Sequence, residues 1–168
     1  MQHCRAFSIL YEVDNDNKYL SIAIELAVKS IDQGGGPFGA VIVYKNKIIS
    51  QTNNQVNQLN DPTAHAEIMA IREACNYFKD FRLSECVLYS SCEPCPMCLG
   101  AIYWARIPSV IFASSRIDAA NAGFDDQKLY EEILNQNNQD VLRKKHLALP
   151  HSNLPFQKWL EKTDKKLY

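Results

Sequence analysis

The chain has 168 residues, 46% hydrophobic and 22% charged, which is the balance of a soluble domain large enough to bury a core. A formal net charge of -1 advertises no broad basic face for a nucleic-acid backbone. No run approaches the roughly 18 apolar residues of a membrane span. The apolar piece Ala6 to Tyr11 is too short for a secretory core and runs into Glu12, Asp14 and Asp16. These features read as a cytoplasmic protein without a membrane or nucleic-acid partner. Of the six cysteines, Cys92, Cys95 and Cys98 crowd together, a spacing that suits a metal in a reducing compartment better than disulfides.

From Lys18 to Ile31, apolar residues fill most of a helix surface and Gly34-Gly35-Gly36-Pro37 stops it. Two β-rich runs follow, Phe38 to Tyr44 and Lys47 to Gln51, with Lys45-Asn46 short enough for a hairpin turn. Asn53 to Asn60 is polar and reads as a loop. Asp61-Pro62 reads as a helix start, with the helix reaching Phe78 on a stripe of Ile68, Ile71, Cys75 and Phe78. A strand at Cys86 to Ser90, a helix from Cys95-Pro96 to Ala105 and a strand at Val110 to Ala113 complete the pattern. The alternation predicts a three-layer α/β domain whose sheet mixes one antiparallel hairpin with parallel strands. Beyond Asp118 the signals weaken: Asp126 to Leu134 is helix-compatible, Asn135 to Gln139 is a polar loop, and Pro155 opens a last segment with Phe156, Trp159 and Leu160 on one face.

Chemistry concentrates at His65-Ala66-Glu67 and Pro94-Cys95-Pro96-Met97-Cys98, the H-x-E and P-C-x-x-C pair that marks zinc nucleobase deaminases. With Pro96 at the first helical position, Cys95 is the cap and Cys98 lies one turn on, so both sulfurs can face one point. A helix N-terminus lowers thiol pKa and favours the thiolates zinc requires. His65 adds a nitrogen, and three protein ligands leave one tetrahedral position for water. Bound there, the pKa of water falls from about 16 toward about 7. Glu67, two residues from His65, can share that site only from the first turn of a helix, and an inward carboxylate suits general acid/base work. Alone, His65 reads as a structural histidine and C-x-x-C as a structural zinc half-site or redox pair; together with Glu67 they read as one catalytic zinc site. Pro94 holds the preceding backbone extended, which should turn Cys92 away from the metal. Cys75 and Cys86 read as core thiols, and Cys4 has no placed partner.

Three stretches carry a specific resemblance: Gly35 to Val41, Asn60 to Glu67 and Ser91 to Cys98 resemble the cytidine-deaminase-like superfamily. Within it, Asp118 to Asp126, Tyr103-Trp104-Ala105-Arg106 and the ending Pro155 to Tyr168 are most similar to bacterial guanine deaminases. The resemblance implies a five-stranded mixed sheet between helices, one zinc ion per chain and hydrolysis of guanine to xanthine and ammonia. Attack would fall on C2, with Glu67 protonating a ring nitrogen and then the leaving amine. By position Asn54 matches a base-contacting asparagine, Phe38 a purine-packing aromatic, Trp104 a pocket residue and Tyr168 a residue that closes over the site. Asp126 matches a carboxylate that holds the base and assists proton transfer. It further implies a homodimer in which about 150–168 can exchange between partners, with 1–17 an extension ahead of one deaminase domain, 18–168. Three rivals remain: a deaminase of guanosine or another aminopurine or aminotriazine, a tRNA adenosine deaminase needing a basic surface, and an inactive zinc-stabilised binding module.

Overall fold

Helix α1 runs unbroken from Gln2 to Asp32 in the computed structural model, which describes residues 2–134 and positions 154, 155, 158 and 163. It starts well before Lys18 because no proline or glycine interrupts residues 2–31. Its end is a Schellman motif: Gly34 takes φ +76°, while Gly35 N–H donates to Ser30 O at 2.8 Å and Gly34 N–H to Ile31 O at 2.9 Å.

The chain divides into two units, Met1–Asp126 and Gln127–Tyr168. In the first, α1 is followed by β1 (Gly39–Tyr44), β2 (Lys47–Asn53), α2 (Val56–Leu59), α3 (Ala66–Phe78), β3 (Cys86–Cys92), α4 (Pro96–Trp104), β4 (Ser109–Ser114) and α5 (Arg116–Asn121). The second contains α6 (Gln127–Leu134), whose Gln127 side chain donates to Glu131 one turn on at 3.0 Å. None of the described helices is long and apolar enough to cross a membrane.

The sheet order is β2-β1-β3-β4. β1 pairs antiparallel with β2 and β3, and β3 pairs parallel with β4, so the expected mixed sheet is present. Lys45 and Asn46 both take positive φ, 48° and 62°, the twist a two-residue hairpin needs. Among the described residues the sheet has four strands, not the five that the resemblance implies. After β4 the chain turns at once into α5, whose cap Ser115 accepts from Asp118 N while the Asp118 carboxylate accepts from Ser115 N.

Alternation along β1 sends Val41 and Val43 to α1, where they meet Tyr19, Ala23 and Tyr89. Ala40 and Ile42 go to the other face, against Ala66, Ala70 and Ala74 of α3 and Ile102 of α4. Helices therefore cover both faces, giving the three layers expected. Tyr89 packs tilted against Tyr19 at 5.1 Å and its hydroxyl donates to Asp16 Oδ1 at 2.6 Å, tying the middle of α1 to β3. Burial and this carboxylate both push the Tyr89 phenol well above its ordinary range.

Two local readings are corrected. The polar loop contains the single turn α2, closed by Asn60 at φ 49°. The zinc-side helix begins at Ala66, not at Asp61-Pro62. Asp61 Oδ1 instead accepts from Thr63 N at 2.8 Å and Thr63 Oγ1 at 2.7 Å, forming a turn that uses up the carboxylate as a cap and leaves His65 at the N-cap.

At Gly39 the sheet and α1 approach so closely that a Cβ would run into the Ala23 carbonyl and lie 2.7 Å from Ala27 N. Gly39→Ala is therefore expected to destabilise the fold by about 3 kcal/mol, the cost of overpacking against backbone. A chemical-denaturation midpoint equal to wild type would show that α1 is held more loosely than this contact requires.

Candidate active site

Helices α3 and α4 start at the same end of the sheet, and the residues before them supply the ligand set. His65 and Cys95 are the two N-caps, both extended (ψ 154° and 167°), and neither side chain caps its own helix. Released from capping, both point to a common centre: His65 Nδ1 lies 3.7 Å from Cys95 Sγ and 3.6 Å from Cys98 Sγ. Ligand atoms of His65, Cys95 and Cys98 all lie within 4.8 Å of one another. Tetrahedral zinc with bonds of about 2.3 Å to sulfur and 2.0–2.1 Å to nitrogen places S and N about 3.6 Å apart, so the three residues fit that ion.

The protonation pattern agrees. A hydrogen bond from Cys98 lowers the Cys95 thiol to about 4, and the same bond, with burial, pushes Cys98 strongly up. The two shifts describe one proton shared by a dithiol, with Cys95 the more acidic member. A divalent cation bound there would displace that proton and ionise both sulfurs. The hydrogen bond with Cys95 raises His65.

Glu67 sits at the second position of α3 and is only 5% exposed. From there its carboxylate and the His65 ring reach one site, the condition set by their two-residue spacing. Burial pushes the carboxyl above its ordinary range. Its Oε1 accepts from Ser90 Oγ at 3.3 Å.

Residues 13–114 match the model of the cytidine and deoxycytidylate deaminase zinc-binding region. The chain belongs to this family. It is 47% identical to the guanine deaminase of Bacillus subtilis over 92% of its own length and 99% of that protein. The crystal structure of that enzyme superposes with a TM-score of 0.88, covering 90% of this chain and 98% of that one. A tRNA-specific adenosine deaminase of Aquifex aeolicus is 43% identical over 62% of this chain and 68% of its own. A guanine deaminase from Nitrosomonas europaea, 31% identical, superposes at 0.61 over 65% of this chain and 64% of that one.

As a member of the zinc deaminase family the chain has a cavity of about 510 Å³ above the ligand set. His65, Glu67, Cys95, Asn54, Phe38 and Asp126 all line it. Asn54 is buried, and its Oδ1 is engaged by two backbone donors, Gly36 N at 3.3 Å and Val56 N at 3.2 Å. The group it presents to a ligand is thus its amide NH₂, a donor. Burial, and next the nearby Cys95, raise the Asp126 carboxyl.

Trp104 stands elsewhere: it is 55% exposed at the end of α4, beside Tyr103 and Arg106, and is not among the residues lining this cavity. Tyr168, Phe156, Trp159 and Leu160 lie outside the described residues. Cys92 lines the cavity wall, but its thiol donates to Ser115 O at 3.5 Å and it is not in the ligand cluster, as Pro94 led us to expect.

Sequence reasoning missed Phe124 and Arg116. Phe124 meets Phe38 edge-on at 5.0 Å and completes an aromatic wall. Arg116 lines the cavity and its backbone N–H donates to Glu93 Oε2 at 3.0 Å. Ser115-x-x-Asp118 was the available signal for the turn that brings Arg116 there.

Cys98→Ala is expected to reduce bound zinc from about one per chain to a small fraction, whereas Cys92→Ala retains it. Metal analysis of the purified variants checks both; equal zinc in the two would move the ligand set.

Proposed function

We propose that this chain hydrolyses guanine to xanthine and ammonia. The observation that carries the reading is extent of likeness. Similarity to a guanine deaminase runs over 92% of this chain at 47% identity, whereas two tRNA-specific adenosine deaminases cover 62% and 80% of it at 43% and 37% identity. The ligand, on this reading, is a free purine, and neither nucleic acid nor membrane is required.

His65, Cys95 and Cys98 would hold the zinc, which when bound would supply Lewis acidity and make water a competent nucleophile near neutral pH. The chain's own residues do the rest. Phe38 and Phe124, edge to face with one another, present one apolar wall to a planar base. Asn54 donates to an acceptor on its edge, and Asp126 accepts from a ring N–H. Glu67 takes a proton from the attacking water and passes it to a ring nitrogen. It then takes the second proton from the hydroxyl now on C2 and gives it to the exocyclic amine, which leaves as ammonia as the C2 carbonyl of xanthine forms. Its burial matters because a carboxyl that holds a proton more readily than usual can act as acid and base in turn.

A homodimer belongs to the same reading. On α4, Leu99, Tyr103 and Trp104 expose large apolar surface. A second copy would cover that helix face, and sedimentation at micromolar concentration tests it: a monomer retires the dimer and leaves the chemistry untouched.

Glu67→Gln is expected to keep zinc and fold while cutting ammonia release from guanine by roughly 10²–10⁴. Turnover at the wild-type rate would remove Glu67 from the mechanism. Asn54→Asp keeps an oxygen for Gly36 and Val56 but replaces the donor facing the ligand. A loss in kcat/KM for guanine of roughly a hundredfold or more should follow, with unchanged melting temperature. Assay against guanosine, adenine and cytosine beside guanine separates this reading from its rivals.

A further inference from the structure

We infer that Ser90 is a positioning residue that holds Glu67 by one carboxylate oxygen and so leaves the other to carry the transferred proton, an inference that rests on the proposed role of Glu67. Ser90 is 1% exposed on β3, in the sheet face that α3 covers. Its Oγ lies 3.3 Å from Glu67 Oε1 and 3.5 Å from Cys92 N. The backbone N–H of Cys92 can only donate, so it takes an oxygen lone pair of the hydroxyl and directs the O–H toward Glu67. A chain of donors results, from Cys92 N–H to Ser90 Oγ and from Ser90 O–H to Glu67 Oε1.

A protonated carboxyl oxygen is a much weaker acceptor than its partner, so the bond from Ser90 favours the proton on the other oxygen. The proton therefore resides on Oε2, the oxygen that Ser90 does not hold. Glu67 lines the cavity, so the arrangement gives the shuttle one fixed and one working oxygen. The alternative, a carboxylate swinging between rotamers, would lose the orientation on which proton transfer depends.

Two further buried hydroxyls support the geometry from the backbone side. Thr52 Oγ1 donates to Ala66 O at 2.7 Å and Ser50 Oγ to Ala70 O at 3.0 Å. Thr52 thus grips the Ala66–Glu67 peptide. Thr52 and Ser50 fix where α3 lies along the sheet, whereas of the three hydroxyls Ser90 is the one that touches the reacting side chain.

The test compares Ser90→Ala and Ser90→Thr in the zinc-loaded protein. Ser90→Ala is expected to lower kcat for guanine about tenfold with KM unchanged and zinc content equal to wild type, and Ser90→Thr, which keeps a hydroxyl, to recover most of it. Crystal structures of the three proteins give a readout independent of turnover: Glu67 should hold one conformer in wild type and Ser90→Thr, and shift or split in Ser90→Ala. An unmoved Glu67 in Ser90→Ala, or a loss that Ser90→Thr does not recover, overturns the positioning role. Wild-type protein that releases no ammonia from guanine would instead overturn the proposed function, and the crystallographic comparison would still decide what Ser90 does.

Discussion

The arrangement depends on two helix N-termini meeting at one point. A helix start carries unsatisfied N–H groups and a partial positive charge, ordinarily answered by a Ser, Thr, Asp or Asn cap. Here the caps are His65 and Cys95, and neither bonds back to its helix. The positive ends instead favour the thiolates and carboxylate gathered between them. Cys95 is the acidic member of the pair chiefly because it accepts from Cys98, with His65 and the Cys98 backbone N–H at the start of α4 adding to the effect. The cap position also explains how His65 and Glu67 cooperate: a cap residue and the second helical residue converge, whereas the same spacing deeper in α3 would splay them.

Two such N-termini stay in place only if the helices cannot slide. The α3 interface with the sheet uses alanines, Ala66, Ala70 and Ala74, where larger residues would bury more area. Small side chains let the helix approach until Ser50 and Thr52 reach its carbonyls. Apolar packing alone is tolerant of a shift along the axis; a hydroxyl paired with one carbonyl is not, because losing the bond strands a buried polar group at a cost of about 1–3 kcal/mol. Register here is set by polar contacts inside an otherwise apolar layer.

Much of this was legible from the sequence. Strand alternation and turn chemistry located the hairpin and the parallel strand pair, and the ligand triad followed from motif spacing with Pro96 as a helix marker. The errors have local causes. Asp61 carries a capping signal, yet its carboxylate serves a turn to Thr63, and no sequence rule ranks the two uses. The sequence pattern starts α1 at Lys18, where the apolar residues fill a helix surface, whereas the helix reaches back to Gln2 through a stretch with no proline or glycine to break it. Ser90, Thr52 and Phe124 were invisible because their roles depend on partners 23, 14 and 86 positions away, respectively Glu67, Ala66 and Phe38. Such pairings are properties of the folded sheet and not of any window along the chain.

Electrostatics then bear on what the cavity can accept. Two thiolates and a divalent cation cancel formally, so the charge a ligand meets comes from Glu67, Glu93, Asp125 and Asp126 against Arg116, all lining the same cavity. Acidic groups outnumber basic ones there. A phosphate would meet net repulsion there, offset in part by Arg116, whereas a neutral purine needs only hydrogen bonds and ring contact. The donor at Asn54 and the acceptor at Asp126 are matched to a molecule carrying both kinds of group on its edge. The sign of the surrounding charge thus favours a free base over a nucleotide, and does so independently of the likeness to guanine deaminases.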